Sequence, residues 1–214
     1  MSNEVVPGIL EGSWDEIERK ISTISQFSKE IHIDFIDGRF ANNKTFLDSA
    51  PFSKFANELY LEAHLMVEEP LQYLSSLAQA GFKRFLGHIE KMVNQEEFVA
   101  QGQLLGEVGL ALDLDTPLDA IKVPFDDLDV VLVLAVKAGE SGQEFQNQAL
   151  EKIKILKQVQ DDKKTNTIIE VDGGIDDKTL PLAKNAGATR FVSTNFISNA
   201  QNPQAAYEAM TEQK

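Results

Sequence analysis

The chain contains no cysteine, which excludes disulfide staples and thiolate metal ligands and leans toward a reducing compartment. It has no apolar run approaching the ~20 residues of a membrane span. Its opening residues, MSNEVVPGILEGSW, lack the basic stretch followed by a long apolar one that marks an export signal. These absences set the expectation of a soluble, cytoplasmic protein with no membrane partner. Positive charge is also scarce, with 20 Lys and Arg against 34 Asp and Glu and a formal net charge of −14. A field of that sign disfavours nucleic acid and anionic membrane surfaces. It also obliges any anionic substrate to find a local source of positive potential, such as a metal ion, a helix N-terminus or a placed Lys or Arg. No linker, low-complexity tract or internal repeat interrupts the chain. No GxGxxG follows the first apolar run, so a dinucleotide fold has no specific support.

What is present is a regular alternation. The 214 residues, 43% of them hydrophobic, suffice for one sizeable core, and a single domain over 1–214 is expected. Eight short apolar or alternating runs read as strands: 5–10, 30–36, 59–67, 82–89, 107–113, 129–136, 167–173 and 188–195. Helical spacing fills 13–27, 68–81, 94–106, 116–123 and 141–160, and a closing helix starts near NPQAAYEAM. Gly81, Gly106 and Gly187 stand where helices would stop. Eight strand and helix units in one small domain predict a (β/α)8 TIM barrel, with a doubly wound open sheet as the competitor.

In such a barrel the catalytic groups sit at the C-terminal ends of the strands, and polar residues fall there. His32 and Asp34 share one face of EIHIDFI, opposite Ile31, Ile33 and Phe35. His64 lies near the end of the third run and Asp172 near the end of the seventh. Each residue alone has a plainer reading: a strand histidine is more often a hydrogen-bonded core residue, and Asp172 before two glycines is a turn residue. Together, two imidazoles and two carboxylates suit one divalent first-row ion, Zn, Fe, Mn or Co.

Five segments, HIDFIDGRF (32–40), EAHLMVEEP (62–70), VLAVKAGESGQEF (133–145), IEVDGGI (169–175) and NAGATRFVSTNFI (185–197), resemble in order the strand-end motifs of ribulose-phosphate 3-epimerases. The resemblance covers nearly the whole chain. It implies a TIM barrel in which His32, Asp34, His64 and Asp172 bind a divalent metal, and in which Asp34 and Asp172 are also the acid/base pair. The implied reaction interconverts ribulose 5-phosphate and xylulose 5-phosphate, sugars of the pentose phosphate pathway. One base removes the proton beside the ketone, an acid on the other face returns one, and the metal stabilises the enediolate between them. The resemblance further implies homo-oligomers, commonly dimers or hexamers, and substrate contacts at Gly8, Met66, Gly139, Ser141, Gly142, Gly173, Gly174, Thr194 and Asn195.

The departures cluster around substrate. PGIL replaces the family's PSIL, so Gly8 stands where a serine hydroxyl contacts substrate. KAGESGQ replaces a glycine-rich NPGFGGQ and introduces Lys137, Glu140 and Ser141, while Thr194-Asn195 replaces a Gly-Ser pair. Ile36 and Leu134 stand where the family has methionines. Glu140 would oppose a phosphate if it pointed inward, and Lys137 and Arg39 are candidates for replacement positive charge. Three readings follow: a pentulose-phosphate 3-epimerase, an epimerase or isomerase of another sugar phosphate such as a ketohexose 6-phosphate, or a non-catalytic metabolite-binding barrel. The surviving metal and acid/base set favours the first.

Overall fold

The computed structural model describes residues 3–139 and 142–212. Eight parallel strands close in sequence order into one barrel: β1 (Glu4–Ile9), β2 (Glu30–Ile36), β3 (Tyr60–Met66), β4 (Arg84–His88), β5 (Glu107–Leu112), β6 (Val130–Leu134), β7 (Ile168–Asp172) and β8 (Arg190–Ser193). β8 pairs with β1 through Glu4↔Arg190 to Pro7↔Ser193 and completes the TIM barrel that the alternation predicts. Among the described residues no helix is long and apolar enough to cross a membrane.

The two faces of each strand do different work. Outward-pointing Ile31, Ile33 and Phe35 of β2 join one large buried cluster with the helices, including Ile17 and Ile21 of α1 (Trp14–Ile24) and Ile153 and Leu156 of α4 (Gln148–Lys163). Phe52, in the 3-10 helix Ala50–Phe55 after β2, packs against Phe35, Phe82 and Trp14 with ring centroids 5.1–5.9 Å apart. The barrel interior is filled differently. A small apolar cluster of Leu86, Ala111, Val130 and Leu132 occupies one side, and a buried ionic network occupies another part of the interior. Arg190, fully buried on β8, binds Glu170 at 2.8 Å, Glu62 at 3.1 Å and Glu30 at 2.7 Å, and also pairs with Glu4. Arg84 binds Glu62 at 2.8 Å and Glu107 at 2.6 Å. Each buried guanidinium therefore faces carboxylates that satisfy its donors, the condition under which interior charge is tolerated.

Some local expectations need correction. Segment 116–123 is not an α-helix. Pro117 stands at its second position and Pro124 directly after it, only Leu118–Ala120 forms a 3-10 turn, and Ile121 and Val123 are buried on either side of exposed Lys122. Its apolar spacing reports burial at period two rather than a helix face. Segment 68–81 divides into a 3-10 turn, Pro70–Tyr73, and a short α2 (Leu74–Gln79). The helix expected from 141 begins only at Gln148, because 142–147 form the loop that edges the site. Two short helices, α5 (Leu180–Ala186) and α6 (Asn195–Ser198), and α7 (Pro203–Thr211) flank and follow β8, while α3 (Gln95–Gln103) precedes β5. Gly187 caps α5 with φ 121°, a left-handed conformation that favours glycine. Gly106 does not take such a conformation. A Cβ there would lie 2.3 Å from the carbonyl oxygen of Lys83, so close backbone approach is what requires glycine.

Candidate metal centre and substrate cavity

His32 and Asp34 point inward because β2 alternates, and register sets their neighbours: His32 lies beside Glu62 and Asp34 beside His64 on β3. β7 brings Asp172 from across the barrel. One ligand atom from each of His32, Asp34, His64 and Asp172 lies within 4.8 Å of every other, and all four residues are buried. Asp34 Oδ1 is 3.3 Å from His32 Nε2 and 2.8 Å from His64 Nδ1, and Asp172 Oδ2 is 3.8 Å from His64 Nδ1. Two imidazole nitrogens and two carboxylates converging on one small volume match the donor chemistry of a divalent first-row ion, so this set fits the metal that the sequence implies.

The electrostatics of these groups diverge. Burial opposes the ionised form of Asp34, but hydrogen bonds and charge from His32 and His64 outweigh it and hold this carboxyl well below its usual range. Burial and the adjacent Asp34 charge push Asp172 up to about 6. Burial works against charge on His32, yet the carboxylates of Asp34, Glu170 and Glu62 hold its pKa well above the ordinary value. His32 Nδ1 is 2.6 Å from Glu62 Oε1 and therefore donates to it, which leaves Nε2 facing the cluster. Burial also opposes ionised Glu62, but Arg190, His32 and Arg84 hold it well below its ordinary value. Glu170 is raised by burial and by Glu62, and its Oε1 has no hydrogen-bond partner.

A cavity of about 550 Å³ opens above this cluster, within the usual range for a small-molecule site. Asp34, Asp172 and Met66 form its inner end. Gly139, Gly142, Gly173, Gly174, Thr194 and Asn195 lie on its walls. The four glycines all have φ between 65° and 106°, left-handed backbone that favours glycine and that occurs in anion-binding turns. Asn43 Nδ2 donates to the Gly139 carbonyl at 2.8 Å, which ties the loop after β6 to the segment after β2, and Gln143 Nε2 donates to the Lys137 carbonyl at 2.6 Å within that loop.

Not every expected residue is brought to the cavity. Gly8 is buried on β1 and does not line it; a Cβ at Gly8 would lie 2.1 Å from Thr194 Oγ1, so the threonine hydroxyl occupies the space above this glycine. Ser141 and Glu140 lie outside the described residues. Lys137 lines the cavity, whereas Arg39 binds Glu68 at 2.7 Å on the exposed surface. Glu144 and Asp176 also line the cavity, and Asp176 accepts from the backbone N–H groups of Lys178 and Thr179. Sequence reasoning missed Glu62, Glu170 and Arg190 beneath the cluster and the buried His88 beside His64. Strand alternation holds the signal: Glu62 precedes His64, and Glu170 precedes Asp172, by two residues on the same face.

A sequence profile described as the Ribulose-phosphate 3 epimerase family matches residues 4–198. A ribulose-phosphate 3-epimerase of Schizosaccharomyces pombe is 32% identical over 208 residues, spanning 94% of this chain and 89% of that protein. One of Bacillus subtilis is 35% identical over 204 residues, spanning 91% of each. Among solved structures, 3-hexulose-6-phosphate synthase from Salmonella typhimurium superposes with a TM-score of 0.70 at 12% identity, covering 98% of this chain and 97% of that one. At this identity the likeness is one of fold.

Proposed function

The chain belongs to the ribulose-phosphate 3-epimerase family, isomerases acting on carbohydrates, and from that premise we propose that it is a metal-dependent ketose-phosphate 3-epimerase interconverting ribulose 5-phosphate and xylulose 5-phosphate. The observation that carries this reading is the placement of Asp34 and Asp172, from different strands, at the inner end of one cavity beside two imidazoles. Inverting a carbon next to a ketone needs a proton acceptor on one face and a donor on the other. Asp34, kept ionised by His32 and His64, suits the acceptor. In the ion-free site Asp172 is raised to about 6 by burial and Asp34, so of the two carboxyls it takes up a proton more readily, and we assign it the donor's part. In the reverse direction they exchange roles. A divalent ion held by His32, Asp34, His64 and Asp172 would supply a Lewis acid for the oxyanion that develops on the ketone. Met66 and the glycine turns with Thr194 and Asn195 line this cavity; in this reading Met66 would lie beside the reacting carbon and the turns would receive the phosphate.

The test is epimerisation of ribulose 5-phosphate in deuterated water, with metal content measured on each protein. Wild type is expected to place solvent deuterium at the inverted carbon. Asp34→Asn and Asp172→Asn should each lower kcat by about 10²–10⁴. Turnover without deuterium uptake, or full activity in either metal-loaded variant, rejects the two-base assignment. Because Gly8, Lys137 and Thr194-Asn195 depart from the family pattern, a ketohexose 6-phosphate and unphosphorylated ribulose belong in the same assay. A higher kcat/KM for the hexose would move the substrate assignment, and equal binding of the unphosphorylated sugar would remove the phosphate cradle.

A further inference from the structure

His64 has two ring nitrogens, and only Nδ1 faces the four-residue cluster; its Nε2 lies 2.9 Å from Nε2 of His88. The two ring centroids are 5.0 Å apart with planes 29° from parallel, so the nitrogens meet between the rings. His88 is fully buried at the end of β4, and its Nδ1 lies 2.8 Å from Oε2 of Glu90. The other Glu90 oxygen accepts the backbone N–H of Asp113 at 2.7 Å, and the carbonyl of Asp113 accepts from Lys152 Nζ at 2.7 Å. Phe40 covers the His88 ring, with centroids 4.7 Å apart.

We propose that His88 and Glu90 are a positioning pair that presets which nitrogen of His64 is offered to a divalent ion; this rests on the reading that the cluster holds one. The argument is a count of donors and acceptors. A carboxylate only accepts, so Nδ1 of His88 carries the hydrogen it gives to Glu90. Neutral His88 then has a lone pair at Nε2, and a 2.9 Å contact between two nitrogens needs one donor and one acceptor. Nε2 of His64 must therefore carry the hydrogen. That leaves the lone pair at Nδ1 of His64, on the side that faces Asp34 Oδ1 2.8 Å away, to ligate an ion. Without the pair, His64 can place its hydrogen on Nδ1 and rotate, and both changes remove a ligand. Hydrogen-bond partners that fix the tautomer and ring orientation of ligating histidines commonly contribute about 10–100-fold to metal affinity. His32 has its own partner in Glu62 of β3, so the two imidazole ligands are set by separate carboxylates, the other being Glu90 in the 3-10 turn after β4.

Zinc titration of the full chain against a competing chelator, with thermal unfolding of each metal-free variant as a folding control, tests the pair. His88→Phe, which keeps a buried ring but has no acceptor, should weaken zinc binding about 10–100-fold. His88→Gln, whose amide can accept from His64 and donate to Glu90, should recover most of the loss. In ¹⁵N-histidine spectra of the zinc-loaded wild type, His64 should carry its hydrogen on Nε2 and the metal on Nδ1. An unchanged zinc affinity in folded His88→Phe, a loss of equal size in His88→Gln, or zinc on Nε2 of His64 overturns the proposal. If wild-type protein takes up no zinc, cobalt, manganese or iron, the metal reading itself fails and this inference falls with it.

Discussion

At the scale of single residues, the protons on the ion-free cluster predict how metal uptake depends on pH. Both His32, with its pKa held above the ordinary value, and Asp172, raised to about 6 by burial and by Asp34, must be deprotonated to ligate. Protons and metal therefore compete, and affinity rises with pH. Above pH 6 Asp172 is already ionised and adds nothing to the slope; below pH 6 it must release its proton too. A plot of log affinity against pH should steepen by about one proton as pH falls through about 6. Competition titrations at pH 5, 6 and 7 measure it, and an unbroken slope would mean that Asp172 releases no proton to the ion in this range. A second residue-scale outcome concerns Gly8. Gly8→Ser would drive its Cβ into Thr194 Oγ1, so the single change should destabilise the protein by about 1–3 kcal/mol through overpacking. Thr194→Gly in the same chain should restore much of that loss. Additive effects in thermal unfolding of the two single variants and the double variant would show that the two side chains do not share this space.

At the scale of elements, the strands are readable because parallel strands buried on both faces are written as near-continuous apolar runs, and β2 occurs where its sequence predicts, Glu30–Ile36. The strand-end polar residues are readable too, because HxD is conspicuous on an otherwise apolar ribbon. The ionic floor is not. Glu62, Arg84, Glu170 and Arg190 come from four different strands, and only the barrel register that sets Glu62 beside Arg84 and Arg190 beside Glu170 turns them into partners. His88 is hidden for the same reason: its partner His64 belongs to the neighbouring strand, and FKRFLGHI carries nothing local to mark it. The 116–123 segment misleads because period-two burial next to prolines imitates helical spacing. The floor has its own test. Arg190→Met leaves the buried Glu62 and Glu170 carboxylates without the guanidinium between them, and breaking such a group typically costs about 3–5 kcal/mol. At this chain length the melting temperature should fall by roughly 6–20 °C. A fall under about 2 °C in calorimetry would show that the floor reorganises without it.

At the scale of the whole molecule, the charge balance and the cavity act against each other. The net charge is −14, and of the described charged residues lining the cavity Lys137 is the one cation, beside Asp34, Glu144, Asp172 and Asp176. On the proposed function a sugar phosphate would approach through a repulsive field, and its binding would have to come from short-range features: the glycine turns, Lys137 and an ion on the four donors. Repulsion between exposed charges acts over the Debye length, which falls from about 30 Å at 0.01 M ionic strength to about 8 Å at 0.15 M. Short contacts inside a part-enclosed cavity are screened far less. Added salt should thus weaken the barrier more than the binding, and kcat/KM for ribulose 5-phosphate should rise a few-fold, on the order of 2–5, between those two ionic strengths. Unphosphorylated ribulose, which is uncharged, should show no such rise. Initial rates in a non-chelating buffer with saturating metal measure both. A kcat/KM that falls with salt for the phosphate ester would mean that positive potential at the cavity mouth dominates the −14 background, and that Lys137 and the metal steer the substrate from a distance rather than hold it only after entry.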